Sequence, residues 1–115
     1  MVKKKSSYPV QHNEKMRGGD GIVIVENLLA PAELYEKGRL YAKITLNPGT
    51  SIGYHVHEGE MESFHVISGE AEYSDNGEIV TISPGDTTLT LSGEGHSIKN
   101  TSNAPFEMIA QILFE

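Results

Sequence analysis

The chain has 115 residues, a formal net charge of −7 and no cysteine. That length supports one hydrophobic core but not two, and the lack of thiols excludes disulfide staples and thiolate metal ligands and fits a reducing, cytoplasmic setting. The acidic balance argues against nucleic acid or an anionic membrane surface as partner, and no apolar run has the length of a signal peptide or membrane helix.

Residues 1–17 open on Lys3, Lys4 and Lys5 and continue through a polar stretch that includes His12. They are expected to form a solvated tail or arm ahead of a single domain over residues 18–115. Gly18-Gly19-Asp20-Gly21 is a loop, and Ile22 to Val25 a short apolar strand. Pro31 to Lys37 fits one helical turn or an irregular arm. Leu40 to Leu46 alternates cleanly, with Leu40, Ala42, Ile44 and Leu46 on one face and Tyr41, Lys43 and Thr45 on the other. After the turn Asn47-Pro48-Gly49 come a strand around Tyr54 to His57, a loop at Glu58 to Glu60 and a strand from Met61 to Ile67. Glu70 to Tyr73 and Glu78 to Ile82 flank Asp75-Asn76-Gly77, a strong hairpin signal. Ser83-Pro84-Gly85-Asp86 turns into Thr87 to Leu91, and Phe106 to Phe114 is apolar on both faces, as in a strand covered on two sides. Turn signals recurring roughly every eight to twelve residues predict an all-β barrel or sandwich.

The chemistry concentrates in His55, His57, Glu62 and His96. Alternate residues of a strand face the same side, so His-x-His on a strand aims two imidazoles into one space. A carboxylate and a third imidazole from other strands complete an N3O set suited to a divalent transition metal. Taken alone, a His-x-His pair is equally at home on a surface. Parity adds detail: Glu62 shares its face with Phe64 and Val66, His96 shares its face with Ile98, and His65 and Tyr54 fall on the outside. Met61 and Phe64 are candidate pocket walls, and Thr87 and Gln111 are candidate polar residues of the interior. Glu58 and Glu60 flank the metal loop, either as an acid or base at the barrel mouth or as a solvated face.

Two spaced motifs carry a resemblance. Gly49, His55, His57, Glu62 and Gly69 fit G-x5-H-x-H-x3/4-E-x6-G, and Gly85, Gly93, His96 and Asn100 fit G-x5-P-x-G-x2-H-x3-N, with Leu91 in the place of the proline. This pattern resembles the cupin superfamily, in its small single-domain form. The resemblance implies a double-stranded β-helix (jelly-roll) barrel, a metal held by His55, His57, Glu62 and His96, and pairing into a homodimer. Phe106 to Phe114 and Ile22 to Leu29 are the candidate interface. The ligand set does not choose among manganese, iron, nickel, cobalt, copper and zinc. Three neutral imidazoles and one carboxylate around M²⁺ leave a local charge of +1 and open coordination, which favours a small polar or anionic ligand or substrate. The favoured expectation is a metal-dependent enzyme of dioxygenase, isomerase or decarboxylase type. The alternative is a module that binds or senses a small molecule or carbohydrate without turning it over. A closed, purely structural metal site fits least well, and no catalytic residue beyond the ligands stands out.

Overall fold

The computed structural model describes all residues, 1–115. Ten strands build the molecule: β1 (Val10–Glu14), β2 (Ile22–Leu29), β3 (Gly38–Leu46), β4 (Ser51–Val56), β5 (Glu60–Ser68), β6 (Ala71–Asp75), β7 (Glu78–Ile82), β8 (Thr87–Thr90), β9 (Gly95–Lys99) and β10 (Phe106–Phe114). They form a six-stranded sheet in the order β1-β2-β3-β10-β5-β8 and a four-stranded sheet in the order β4-β9-β6-β7. All pairings are antiparallel. This is the expected all-β jelly roll.

Alternation dictates what lies between the sheets. Val23 and Val25, Ala42, Ile44 and Leu46, Phe64 and Val66, and Phe106, Met108 and Ala110 turn inward from the larger sheet. Ile52, Ala71, Tyr73, Ile82 and Ile98 meet them from the smaller one. Each large side chain so buried contributes about 1.5–3 kcal/mol. The hairpin signal at Asp75-Asn76-Gly77 is realised as a two-residue turn with Asp75 paired to Glu78 and both central residues at positive φ, 51° for Asn76 and 94° for Gly77. That combination defines the type I′ turn that Asn-Gly favours.

Three expectations need correction. The arm over residues 1–17 is not wholly a solvated tail, because Val10–Glu14 pairs with Ile22–Glu26 as the edge strand of the larger sheet. Its residues Val-Gln-His-Asn-Glu lack an apolar face, so no periodicity announces the strand. Pro31–Leu34 is a single 3-10 turn, shorter than the stretch to Lys37. Phe106–Phe114 is not wholly apolar on its outward face: half-buried Glu107 and Gln111 alternate there with Ile109 and Leu113, and β3 and β5 flank the strand.

Asn100 pins one end of the barrel. Its fully buried amide donates to the carbonyls of Leu46 and Ala104, each at 2.8 Å, and its oxygen accepts from the backbone N–H and hydroxyl of Ser102. The turn that carries Leu91 closes without proline, through Glu94 N–H to the Leu91 carbonyl at 3.0 Å and Leu91 N–H to the Glu94 carboxylate at 2.8 Å.

Candidate metal centre

His55 on β4 and His96 on β9 are direct cross-strand partners. The register between these strands shifts between Ile52 and His55, so the bulge lets both Ile52 and His55 turn inward despite their odd spacing. His57 follows β4 and is fixed by its own backbone, which donates to the Glu94 carbonyl and accepts from Gly93 N–H. Glu62 arrives from β5, opposite Thr90 and Ile112.

The four side chains converge. Their ligand atoms all lie within 4.8 Å of one another. His57 Nε2 stands 3.1 Å from both Glu62 Oε1 and His96 Nε2, and His96 Nε2 stands 3.2 Å from His55 Nε2 and 3.0 Å from Glu62 Oε1. Metal bonds of about 2.1 Å place adjacent ligands about 3.0 Å apart around an octahedron and about 3.4 Å apart around a tetrahedron. The four short spacings, 3.0 to 3.2 Å, are close enough for these donors to share one metal ion.

The opposite edge of each ring is already committed. His55 Nδ1 lies 2.8 Å from the Gly53 carbonyl, His57 Nδ1 lies 2.9 Å from Glu60 Oε1, and His96 Nδ1 lies 2.7 Å from the Tyr73 hydroxyl and 3.0 Å from that of Thr90. Carbonyl and carboxylate only accept, so His55 and His57 carry their protons on Nδ1. We assign His96 in the same way, with Nδ1–H donating to a hydroxyl. Each imidazole then presents an Nε2 lone pair to the same point as the Glu62 carboxylate. Four acceptors aimed at one buried point repel one another unless a cation or a shared proton lies between them. The residues present therefore fit a divalent metal.

Charge on the metal-free chain agrees. The Glu62 carboxylate pulls the His57 pKa above the usual imidazole value, against the opposing effect of burial, and Glu60 adds to the pull. Burial pushes the Glu62 carboxyl up, but the neighbouring His57 and His96 rings outweigh it and hold it below the usual carboxylate value. Burial lowers His55. Glu60 is drawn down to about 2, chiefly by the Arg39 guanidinium, which grips it with two hydrogen bonds of 2.8 Å. Phe64 stacks on the His96 ring at 5.1 Å.

A cavity of about 180 Å³ opens onto His55, His57 and Glu62. Phe64, Ile44, Leu40, Ile52 and Ile112 form its apolar wall, and Gln11, Asn13, Arg17 and Arg39 its polar one. Phe64, a candidate pocket wall, lines this cavity. Met61, Gln111 and Thr87 do not. Met61 has the parity opposite to buried Glu62 and Phe64, and Gln111 lies between buried Ala110 and Ile112 on β10, so both face out of the barrel. Thr87 is exposed and bonds to His65 on the outer face, while Thr90 is the threonine that reaches the site. His65, Tyr54 and Glu58 are exposed. Glu60, a candidate acid or base, is instead tied to Arg39 behind the ligands, and the residues that sequence alone did not reveal are Tyr73, Thr90 and Arg39, with Gln11, Asn13 and Arg17 on the arm. Only the pairing of distant strands brings them to the site.

Comparison with known proteins agrees with this geometry. The family model described as "Cupin domain" matches residues 42–112. A relative named oxalate-binding protein from Thermotoga maritima is 42% identical over 113 residues, covering 98% of this chain and 93% of its own. The crystal structure of a predicted oxalate decarboxylase from Thermotoga maritima superposes with a TM-score of 0.95 at 42% identity, covering 100% of both chains. The Cnp3 cupin domain of Schizosaccharomyces pombe, at a TM-score of 0.77, 13% identity and coverage of 100% of this chain and 74% of its own, shares the fold.

Proposed function

The chain belongs to the cupin family, and from that premise we propose that it holds a divalent transition metal on His55, His57, Glu62 and His96 and uses it to bind a small dicarboxylate of the oxalate type. The observation that carries this reading is the convergence of four donor atoms, three buried and that of His55 half-buried, beside a small cavity that also displays two arginines. A bound metal supplies a chelation point and a net positive charge. The chain supplies the rest. The Gly53 carbonyl, Glu60 and the Tyr73–Thr90 pair orient the three rings. Phe64, Ile44 and Ile112 exclude water, and Arg17 and Arg39 add cationic charge to the wall. The name of the relative from Thermotoga maritima supports oxalate as the first ligand to test.

A second reading, enzymatic breakdown of the same ligand, draws support from the related structure described as a predicted oxalate decarboxylase. Breaking the carbon–carbon bond of oxalate to give formate requires a proton delivered to carbon. The ionisable groups lining the cavity are Arg17, Arg39 and three of the four ligands, and nearby Glu60 is held ionised by Arg39. Binding without turnover is therefore the reading the geometry favours.

Metal analysis of the purified chain, followed by calorimetric titration of the metal-loaded protein with oxalate, tests the proposal. One metal per chain and oxalate binding that disappears on chelation are the expected results. Absence of binding by protein loaded in turn with manganese, iron, nickel, cobalt, copper and zinc would sink it. Release of formate and carbon dioxide from the same mixture would move the reading to an enzyme, as would oxygen uptake. We infer also a homodimer acting in the cytoplasm without nucleic acid or membrane partners. The apolar outward residues of β10, Ile109 and Leu113, support pairing across the larger sheet. A monomeric sedimentation coefficient at micromolar concentration would refute it.

A further inference from the structure

We propose that Arg17, presented by the N-terminal arm, selects dicarboxylates by binding the carboxylate oxygens that a metal-chelated ligand turns away from the metal. This inference rests on the metal-dependent dicarboxylate reading above. The arm lines the cavity with Gln11 and Asn13 of β1 and with Met16 and Arg17 of the 3-10 turn that follows. All four precede the family match over residues 42–112, so they add to the shared barrel a wall of their own.

The arm is held against the strand that carries His55. Asp20 N–H donates to the Ser51 hydroxyl and Ser51 N–H to the Asp20 carbonyl, each at 2.9 Å. The backbones approach so closely that a Cβ on Gly19 would overlap the Ser51 carbonyl, and a Cβ on Gly53 would overlap that of Arg17. Between these clamps the backbone of Arg17 sits at φ 54°, a left-handed conformation that is uncommon for residues other than glycine.

The two arginines of the cavity differ in what they are free to do. Arg39 spends its fork on Glu60. The Arg17 guanidinium takes part in no ion pair or side-chain hydrogen bond, although it lies at the rim of an acidic chain. A ligand such as oxalate that chelates a metal through one oxygen of each carboxylate leaves its other two oxygens pointing outward. A planar fork with two parallel donors matches such a pair of oxygens, and the amides of Gln11 and Asn13 offer further donors. A monocarboxylate bound to the metal through both oxygens presents no such pair.

The test compares wild type, Arg17→Gln, Arg17→Lys and Arg17→Gly as full chains, with metal content measured by elemental analysis and oxalate and acetate titrated by calorimetry. Arg17→Gln should weaken oxalate binding roughly tenfold or more, the usual consequence of losing a charged hydrogen-bond pair, with acetate binding and metal content unchanged. Arg17→Lys should fall between. Arg17→Gly relieves the left-handed backbone, so it should keep or raise the melting temperature while binding oxalate as weakly as Arg17→Gln; it also serves if the glutamine variant fails to fold. Oxalate binding within about twofold of wild type in both variants would overturn the role of Arg17 and leave the metal reading standing. Equal weakening of acetate and oxalate, or loss of metal, would also overturn it by showing an unselective charge or a structural prop. Failure of the loaded wild type to bind oxalate would remove the metal-dicarboxylate reading itself, and this inference with it.

Discussion

The two ends of the barrel interior are built from the same strands by opposite means. At one end Leu46 of β3 lies between Val23 of β2 and Phe106 of β10, all fully buried, and stability there comes from close packing. At the other end β5, β9 and the end of β4 bring His57, Glu62 and His96 into equal burial, where each polar atom must be met by a partner. The apolar side chains of the first end tolerate any apolar replacement of the right volume, with the buried Asn100 amide holding the Leu46 carbonyl beside them. The second tolerates only a particular set of donors and acceptors, because an unpartnered buried polar group costs about 1–3 kcal/mol. What separates the ends is the kind of complementarity, since burial is the same in both.

Substitutions should separate them by magnitude and by readout. Phe106→Ala empties the closed end and is expected to lower stability by about 3–5 kcal/mol in chemical denaturation, leaving ligand geometry unchanged in any protein that still folds. Glu62→Gln at the open end should weaken metal binding by more than the roughly 10–100-fold typical of outer-sphere changes, and a competition titration with a chelator would show it. Stability of the metal-free chain should change far less, since the substitution removes a charge from a crowded point.

Arg39→Ala frees Glu60 and loosens His57. It is expected to weaken metal binding by about 10–100-fold without removing a ligand, and unchanged affinity would show that the Arg39–Glu60 pair is only surface decoration. The same pair predicts a pH dependence of the metal-free chain. Glu60 is held at about 2 in the folded chain against an ordinary 4.5, so its contribution is fully present above the ordinary value and is lost as pH falls towards about 2. The melting-temperature difference between wild type and Glu60→Gln should be largest near neutral pH and vanish in strong acid. An effect that grew on acidification would contradict the assignment. Ile79→Thr makes the smallest change. Ile79 lies 59% exposed on edge strand β7, and a shift beyond about 0.5 kcal/mol would mean that something covers it.

Much of this was legible in the chain, for local reasons. Leu40 to Leu46 alternates in the sequence, and burial alternates with it from Tyr41 to Leu46. Glu78–Ile82 and Phe106–Phe114 occupy the expected spans. His55, His57, Glu62 and His96 stood out through the two spaced motifs and their resemblance to cupins, because strand parity assigns faces within a strand but not which strands meet. The failures share a cause. Met61 was read for its apolarity and Gln111 and Thr87 for their polarity, but each points where its neighbours on the strand force it to point. β1 carries no apolar face, so only its pairing with β2 reveals it as a strand.

Sequence by itself therefore determined the strand faces and the turns, which depend on alternation and on residues close in the chain, and the motif resemblance added the jelly-roll barrel and the four candidate ligands. Tertiary structure alone decided the tautomers of the three imidazoles, the anchoring of His57 through Glu60 to Arg39, and the presence of Arg17 in the cavity wall. Those features join residues far apart in the chain, and their energies come from burial and hydrogen-bond geometry that exist only once the sheets have packed.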